Sequence, residues 1–118
     1  MSRVLILEDE ALVAMLIEDL LYEFGFESHS CATISEAIAL ANEHDYELAI
    51  LDVNLGAELT YPAADALMAR GIPFAFATGY GESGIRANYS NVPVLHKPFD
   101  RDRMASILER LRYAGTIR

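Results

Sequence analysis

VLILEDE, residues 4–10, joins four apolar residues directly to three acidic ones. A short apolar run with β-branched residues that stops at acids is typical of a strand buried on both faces. After it, apolar side chains recur three and four positions apart until Gly25, which is the spacing of a helix with one buried face. We therefore predict a strand over Val4–Leu7 and a helix over residues 11–24, with the acids between them.

The same alternation of strand and helix continues along the rest of the chain. Because five strands alternate with five helices, the pattern predicts an α/β fold: a doubly wound, flavodoxin-like sheet of five parallel strands with helices on both faces. A length of 118 residues fits one domain over residues 1–118. The remaining predicted strands are Phe26–Ala32, Leu48–Leu51, Ile72–Ala77 and Val92–Leu95. The remaining predicted helices are one capped by Thr33 or Ser35 with the apolar face Ile34, Ala37, Ile38 and Ala41, then Ala63–Arg70 with Pro62 in its first turn, Glu82–Tyr89, and a last helix striped by Met104, Ile107, Leu108 and Leu111.

Composition excludes several classes of protein. A hydrophobic content of 53% is too high for a disordered chain, and no run approaches the roughly 18 apolar residues of a membrane span. The first helix follows acids, whereas a secretory signal needs a basic start. The lone cysteine, Cys31, cannot form an internal disulfide or a zinc cage, so we interpret it as a small core residue in a reducing compartment. We expect a cytoplasmic protein that does not bind membranes.

Charge is divided unevenly between the two halves of the chain. The net charge is −9; residues 1–59 carry 13 acidic residues and one basic residue, whereas residues 60–118 carry five acidic and eight basic residues. The basic residues of the second half are scattered among acids and form no stripe, so we do not expect direct binding of nucleic acid. Lys97 is the only lysine in the chain.

Polar side chains follow four of the predicted strands at their carboxyl ends. Glu8 and Asp9 follow the first strand, Asp52 the third, Thr78 the fourth and Lys97 the fifth. Ligands of parallel sheets bind beyond these ends. Clustered carboxylates favour Mg²⁺, and a carboxylate beside such a metal can attack a phosphoryl group. Lysine and threonine can supply a positive charge and a hydrogen bond to that group. The residues therefore indicate phosphoryl transfer to Asp52.

At these positions the chain resembles the receiver domains of two-component response regulators, and the resemblance covers essentially its whole length. It rests on four motifs in order: Glu8-Asp9, Asp52, Thr78 and Lys97-Pro98-Phe99. The resemblance implies a stand-alone switch that takes a phosphoryl group from a histidine kinase or a histidine phosphotransfer protein. It also implies that the phosphorylated form changes its contacts with a downstream protein, and that the only chemistry is phosphorylation and dephosphorylation of the domain itself.

The resemblance also implies a role for each site residue. Asp52 would accept the phosphoryl group. The ligands of Mg²⁺ would be Asp9, Asp52 and the backbone carbonyl of Asn54, with Glu8 acting through water. Thr78 and Lys97 would contact the phosphoryl group, and the Lys97–Pro98 peptide bond would be cis.

The chain departs from the common receiver pattern at two positions. Gly56 stands where many receivers have a proline, which predicts a more mobile loop. Val94 stands where many have the aromatic residue that swings inward on phosphorylation. The run Phe76–Tyr80 instead resembles a subset of receivers defined by a Phe-Ala-Thr-Gly-hydrophobic-Tyr run, although the last position of that run is Gly81 here. The partners of this subset are often kinases of the HWE or HisKA2 type. Glycines predict a flexible segment from Gly79 to Gly84.

Three other functions compete with this interpretation. An Mg²⁺-dependent aspartyl-phosphate phosphohydrolase usually has a second aspartate two residues after its nucleophile, and here that residue is Asn54. A receiver-like adaptor would keep the fold without the phosphoryl chemistry. A flavodoxin-like cofactor carrier is disfavoured, because the acids of residues 8–10 would repel a phosphate at the place where such a carrier binds one.

Overall fold

The structure is a computed structural model that describes residues 2–55, 58–78, 89, 91–96 and 99–117, with the backbone alone at residues 54, 58 and 113–117. Its elements follow in the order β1 (Ser2–Leu7), α1 (Ala11–Glu23), β2 (Phe26–Cys31), α2 (Ile34–Glu43), β3 (Leu48–Asp52), β4 (Asn54–Leu55), β5 (Glu58–Leu59), α3 (Tyr61–Ala69), β6 (Phe74–Thr78), β7 (Val94–His96) and α4 (Arg101–Ile117).

The main sheet has five parallel strands in the order β2-β1-β3-β6-β7. This confirms the predicted doubly wound sheet. The strand order reverses between β1 and β3. From β1 the chain goes to β2 on one side, and it then crosses back over β1 to form β3 on the other side. In folds of this kind, a crevice for ligands forms beyond the strand ends at that reversal.

The sheet is covered on both faces, as its apolar strands require. In β1, Leu5 and Leu7 pack into a core that includes side chains of α2 and α3. Val4 and Ile6 point to the opposite face and pack into a second core, with side chains of α1 and α4. All four are fully buried. Four consecutive apolar residues such as Val4–Leu7 can be buried on both faces only in the middle of such a layered structure.

The helices begin and end at residues whose chemistry explains the boundary. The side chain of Thr33 accepts a hydrogen bond from the amide of Glu36 at 3.2 Å, so Thr33 is the N-cap of α2. Pro62 lies in the first turn of α3. Gly25 and Gly71 follow α1 and α3 with φ of 86° and 71°, a conformation that glycine adopts at little cost.

Several features differ from the sequence-based expectation. Strands β6 and β7 each begin two residues later and end one residue later than predicted. A two-stranded antiparallel hairpin, β4 with β5, lies between β3 and α3 and was not predicted. Helix α3 begins at Tyr61, before the predicted start at Ala63. The described residues contain four helices. The predicted helix Glu82–Tyr89 lies outside the described residues except for Tyr89. Gly56 also lies outside them. None of the described helices has the length and apolar character needed to cross a membrane.

Replacing Thr33 with alanine should lower the free energy of unfolding by about 1 kcal/mol, because the amide of Glu36 loses its partner at the start of α2. Urea unfolding followed by circular dichroism measures this. Ser35→Ala is the matched control, since Ser35 is an exposed neighbour whose hydroxyl, among the described residues, contacts only that of Thr33. Equal stability of Thr33→Ala and the control would contradict the capping role.

Candidate functional site

Strand pairing brings Glu8, Asp52 and Thr78 to the same edge of the sheet. Leu7 pairs with Leu51, so Glu8 and Asp52 come next on neighbouring strands. Asp52 in turn pairs with the residue before Thr78 on β6. Neighbouring strands lie about 4.8 Å apart. The register therefore places three of the residues chosen from the sequence at the ends of three strands that are adjacent in the sheet.

These three side chains are buried although all are polar. The exposed fractions are 3% for Glu8, 8% for Asp52 and 4% for Thr78. Among the described residues, the only other buried polar side chain is that of Thr60. Burying a polar group costs free energy unless other groups compensate it. Their concentration at one edge of a sheet whose buried positions are otherwise apolar is typical of a binding site.

The acids after β1 form a tight cluster. Glu8, Asp9 and Glu10 each place a carboxylate oxygen within 4.8 Å of the others. The amide of Glu10 donates to Oε1 of Glu8 at 3.1 Å, and the amide of Glu8 donates to the carbonyl oxygen of Cys31 at 3.0 Å. Carboxylates this close repel one another unless a cation lies between them. The cluster is therefore suited to a cation.

The donor set at this edge fits Mg²⁺. Glu8, Asp9 and Asp52 offer carboxylate oxygens, the hard ligands that this ion prefers. Asn54 lies in β4, two residues beyond Asp52, and its backbone carbonyl is a further oxygen of the same kind. The side chain of Asn54 lies outside the described part of the chain.

Lys97 and Pro98 lie outside the described residues, so the position of the lysine and the cis peptide bond stay predictions. The strand that leads to them is in the expected place. His96, the last residue of β7, pairs with Thr78 of β6. Lys97 therefore follows the residue that lies beside Thr78. The glycine-containing segment that begins at Gly79 also lies outside the described residues.

The backbone after Asp52 is held from both sides. The amide of Val53 donates to the carbonyl oxygen of Ala77 at 3.1 Å, and the carbonyl oxygen of Val53 accepts from the amide of Thr60 at 3.2 Å. The second bond closes the β4–β5 hairpin just before α3. Thr60 is fully buried, and its hydroxyl has no hydrogen-bond partner within the described ranges. Thr60 was not predicted from the sequence. The one signal there is that a polar residue stands shortly before Pro62, where a helix begins.

Comparison with known proteins identifies the family. A model of the response regulator receiver domain matches residues 4–109. The chain is a response regulator receiver domain. It is therefore a phosphorylation-dependent switch, and such domains typically bind Mg²⁺ at an acidic pocket and take their phosphoryl group from a kinase or phosphotransfer donor. Receivers generally act as phosphoacceptors, in contrast to enzymes that turn over external substrates.

Solved structures of other receivers are similar over nearly the whole chain. The solution structure of SdrG from Sphingomonas melonis Fr1 is 40% identical, with a TM-score of 0.84 over 94% of this chain and 96% of that one. The BeF3-activated conformation of SdrG from Pseudomonas melonis Fr1 is 41% identical, with a TM-score of 0.82 over 93% and 95%. The anti-anti-sigma factor PhyR from Bartonella quintana is 27% identical, with a TM-score of 0.83 over 98% of this chain and 49% of that one. No curated protein sequence matches the receiver.

Cys31, whose carbonyl oxygen holds the amide of Glu8, is itself a core residue. Its side chain is 6% exposed, and the thiol faces the carbonyl oxygen of Ile6 at 3.5 Å. Burial, with a smaller contribution from the carboxylate of Glu36, raises the pKa of the thiol to about 12. The thiol is therefore protonated throughout the physiological range.

The raised pKa predicts that Cys31 reacts slowly with iodoacetamide. The thiolate is the reacting form, and its fraction falls about tenfold for each unit by which the pKa exceeds the pH. At about pH 8.5 the folded domain should be alkylated at least about a hundredfold more slowly than the chain unfolded in urea. Above about pH 9 its rate should keep rising about tenfold per pH unit, whereas the rate of the unfolded chain levels off. Mass spectrometry measures the modified fraction; equal rates in the two states would contradict a buried, protonated thiol.

Proposed function

We propose that Asp52 is the residue that accepts the phosphoryl group in this receiver. One observation carries the proposal: the carboxylate of Asp52 is buried at the end of β3, on a strand flanked by those that carry Glu8 and Thr78. An oxygen of the carboxylate attacks phosphorus, the bond to the nitrogen of the donor phosphohistidine breaks, and an acyl phosphate forms on Asp52. Water later hydrolyses this acyl phosphate and ends the signal.

Mg²⁺ is bound in this proposal by Asp9, Asp52 and the backbone carbonyl of Asn54, with Glu8 acting through water. The close approach of the carboxylates after β1 supports the assignment, since this arrangement is costly without a cation. When bound, the ion offsets the negative charge of the phosphoryl oxygens. The acids keep the ion beside Asp52 and at the same time disfavour anions that arrive without a metal.

Thr78 and Lys97 are the proposed contacts of the transferred group. The hydroxyl of Thr78 donates a hydrogen bond to a phosphoryl oxygen, and the ammonium group of Lys97 pairs with another. The register of β6 with β7 supports this pairing of roles, because it aligns Thr78 with the residue before Lys97. Movement of these two side chains toward the new charge is the first step of the switch.

The proposed donor is a sensor histidine kinase of the HWE or HisKA2 type, or a histidine phosphotransfer protein, in the cytoplasm. The run Phe76–Tyr80 supports this choice, because it resembles the subset of receivers whose partners are often kinases of that type. Output runs through a changed contact with a downstream protein, without direct binding of nucleic acid or membrane. The chemistry is limited to phosphorylation and dephosphorylation of the receiver itself.

Asp52→Asn should abolish phosphorylation, because the amide cannot attack phosphorus. The measurement is intact mass after incubation with a small-molecule phosphodonor and Mg²⁺. The unchanged chain should gain one adduct that requires the metal and is removed by alkali, as an acyl phosphate is. Asp45→Asn is the matched control: Asp45 is fully exposed, precedes β3 and, within the described part of the chain, pairs only with Arg70, at 3.7 Å. This variant should be labelled like the unchanged chain.

Three results would contradict the assignment. Labelling of Asp52→Asn at the level of the unchanged chain would place the acceptor elsewhere. Continuous release of phosphate from a model ester, far faster than loss of the adduct from the receiver, would favour the phosphohydrolase. Absence of an adduct in the folded, unchanged chain with every donor would favour an adaptor without phosphoryl chemistry.

Lys97→Ala should separate phosphorylation from the conformational response. The variant keeps the proposed metal ligands and Asp52, so it should still bind Mg²⁺ and gain the adduct, but it lacks the cation that responds to the new charge. Amide chemical shifts of Thr78 and its neighbours, recorded before and after phosphorylation, measure the response. Arg110→Ala removes an exposed positive charge from α4 and serves as the control. An unchanged set of phosphorylation-induced shifts in Lys97→Ala would contradict the role given to Lys97.

A further inference from the structure

Four aromatic rings interlock on the face of the sheet that α3 covers. Tyr61 and Tyr89 stack, with centroids 5.6 Å apart and planes 13° from parallel. Phe76 meets both edge-on, at 5.9 Å from Tyr61 and 5.8 Å from Tyr89. Phe74 completes the group at 5.6 Å from Phe76 and 5.9 Å from Tyr89. We refer to these four residues as the aromatic cluster. Offset and edge-on contacts of this kind stabilise beyond the area that they bury.

Tyr89 is the member that comes from the connection between β6 and β7. Its side chain is 1% exposed, and its hydroxyl donates a hydrogen bond to Oδ1 of Asp65 on α3. Its carbonyl oxygen accepts from the amide of Val92 at 3.0 Å, in the turn that leads into β7. Tyr89 therefore attaches the chain just before β7 to the side of α3.

The same cluster touches both polypeptide segments that carry the proposed site. Tyr61 directly follows Thr60, whose amide holds the carbonyl oxygen of Val53 next to Asp52. On the other side, Phe76 lies two residues before Thr78 in β6. Through its contacts with Tyr61 and Phe76, the ring of Tyr89 therefore touches both segments.

The bond between Tyr89 and Asp65 joins a buried group to an exposed one. The ring of Tyr89 is within the core, whereas Asp65 lies on the exposed side of α3. A buried tyrosine hydroxyl needs a hydrogen-bond partner, and a bond to a charged acceptor weakens steeply once its geometry is lost. A small shift of Tyr89 would consequently break this bond, and the contact is therefore suited to two discrete states, one with the bond and one without it.

We propose that Tyr89 is a positioning residue of the switch: its hydroxyl bond to Asp65 fixes the approach to β7 on α3 in the form with unmodified Asp52 and is released when Asp52 is phosphorylated. The inference rests on the proposed function of Asp52. It gives this receiver a coupling residue in place of the aromatic side chain that Val94 lacks. Tyr89 acts through Phe76 and Tyr61 and does not touch the phosphoryl group.

A contact that is made in only one of two states shifts the equilibrium between them, and the effect is reciprocal. If the bond to Asp65 belongs to the unmodified form, its removal favours the activated form and strengthens binding of anything that prefers that form. The expected gain in affinity for a phosphoryl mimic is about threefold to tenfold, which is the range given by the net contribution of one hydrogen bond.

The test uses beryllofluoride with Mg²⁺ as the mimic of the phosphoryl group on Asp52. Affinity is measured by titration, followed through the amide chemical shift of Thr78, for the unchanged chain, Tyr89→Phe, Asp65→Ala and the double variant. Tyr89→Phe keeps the ring and removes only the hydroxyl. Tyr46→Phe is the control, because Tyr46 also has a bonded hydroxyl, 2.8 Å from Nδ1 of His29, but makes no ring contact with the cluster. Thermal unfolding is recorded for every variant.

The proposal expects both single variants to bind beryllofluoride more tightly by a similar factor, the double variant to gain no more than either, and the control to be unchanged. Such non-additivity is the signature of one shared contact. A lower melting temperature with unaltered beryllofluoride affinity would overturn the proposal and leave the bond a purely structural one. Weaker binding in both variants would overturn it as well. An unchanged chain that binds no beryllofluoride would refute the function proposed for Asp52, and this inference with it.

Discussion

The burial of two carboxylates and a hydroxyl at the ends of apolar strands is the constraint on which the rest of the structure depends. Strands β1, β3 and β6 are covered on both faces, so their interiors admit only apolar side chains. Polar groups can then stand only where a strand ends, and in a parallel sheet those ends lie at one edge. The fold therefore creates the conditions for Glu8, Asp52 and Thr78 to meet, and the desolvation that they suffer there makes them sensitive to a new charge.

A sensitive edge needs a backbone that does not yield at the same place. The two hydrogen bonds of Val53, one to Ala77 and one to Thr60, fix the residue that follows Asp52 against β6 on one side and the start of α3 on the other. The β4–β5 hairpin lies between the two residues that the second bond joins.

The parts of the structure that could be predicted are those decided by neighbours in the sequence. Buried strands are recognisable as apolar runs in the sequence. Because Asp52 and Thr78 stand at the ends of two such runs, they could be placed at one edge of the sheet. The N-cap at Thr33 follows from its own hydroxyl and the helix after it. The hairpin was missed because strands of two residues have no period to detect. The aromatic cluster was missed because Tyr61 and Tyr89 are far apart in the sequence, and only the folded sheet brings them together.

Two kinds of interaction hold Tyr89: ring packing, which depends on buried area, and a hydrogen bond, which depends on direction. Stacked and edge-on rings bury much surface, but their attraction changes little when one ring slides over another, so they hold the approach to β7 near α3 without fixing its position. A hydrogen bond depends on distance and angle and is lost within a displacement of about 1 Å. In the pair of Tyr61 and Tyr89, the rings thus supply cohesion in both states, whereas the hydroxyl of Tyr89 distinguishes between them. A receiver that lacks an aromatic residue at position 94 can be switched in this way because only the directional part of the contact has to break.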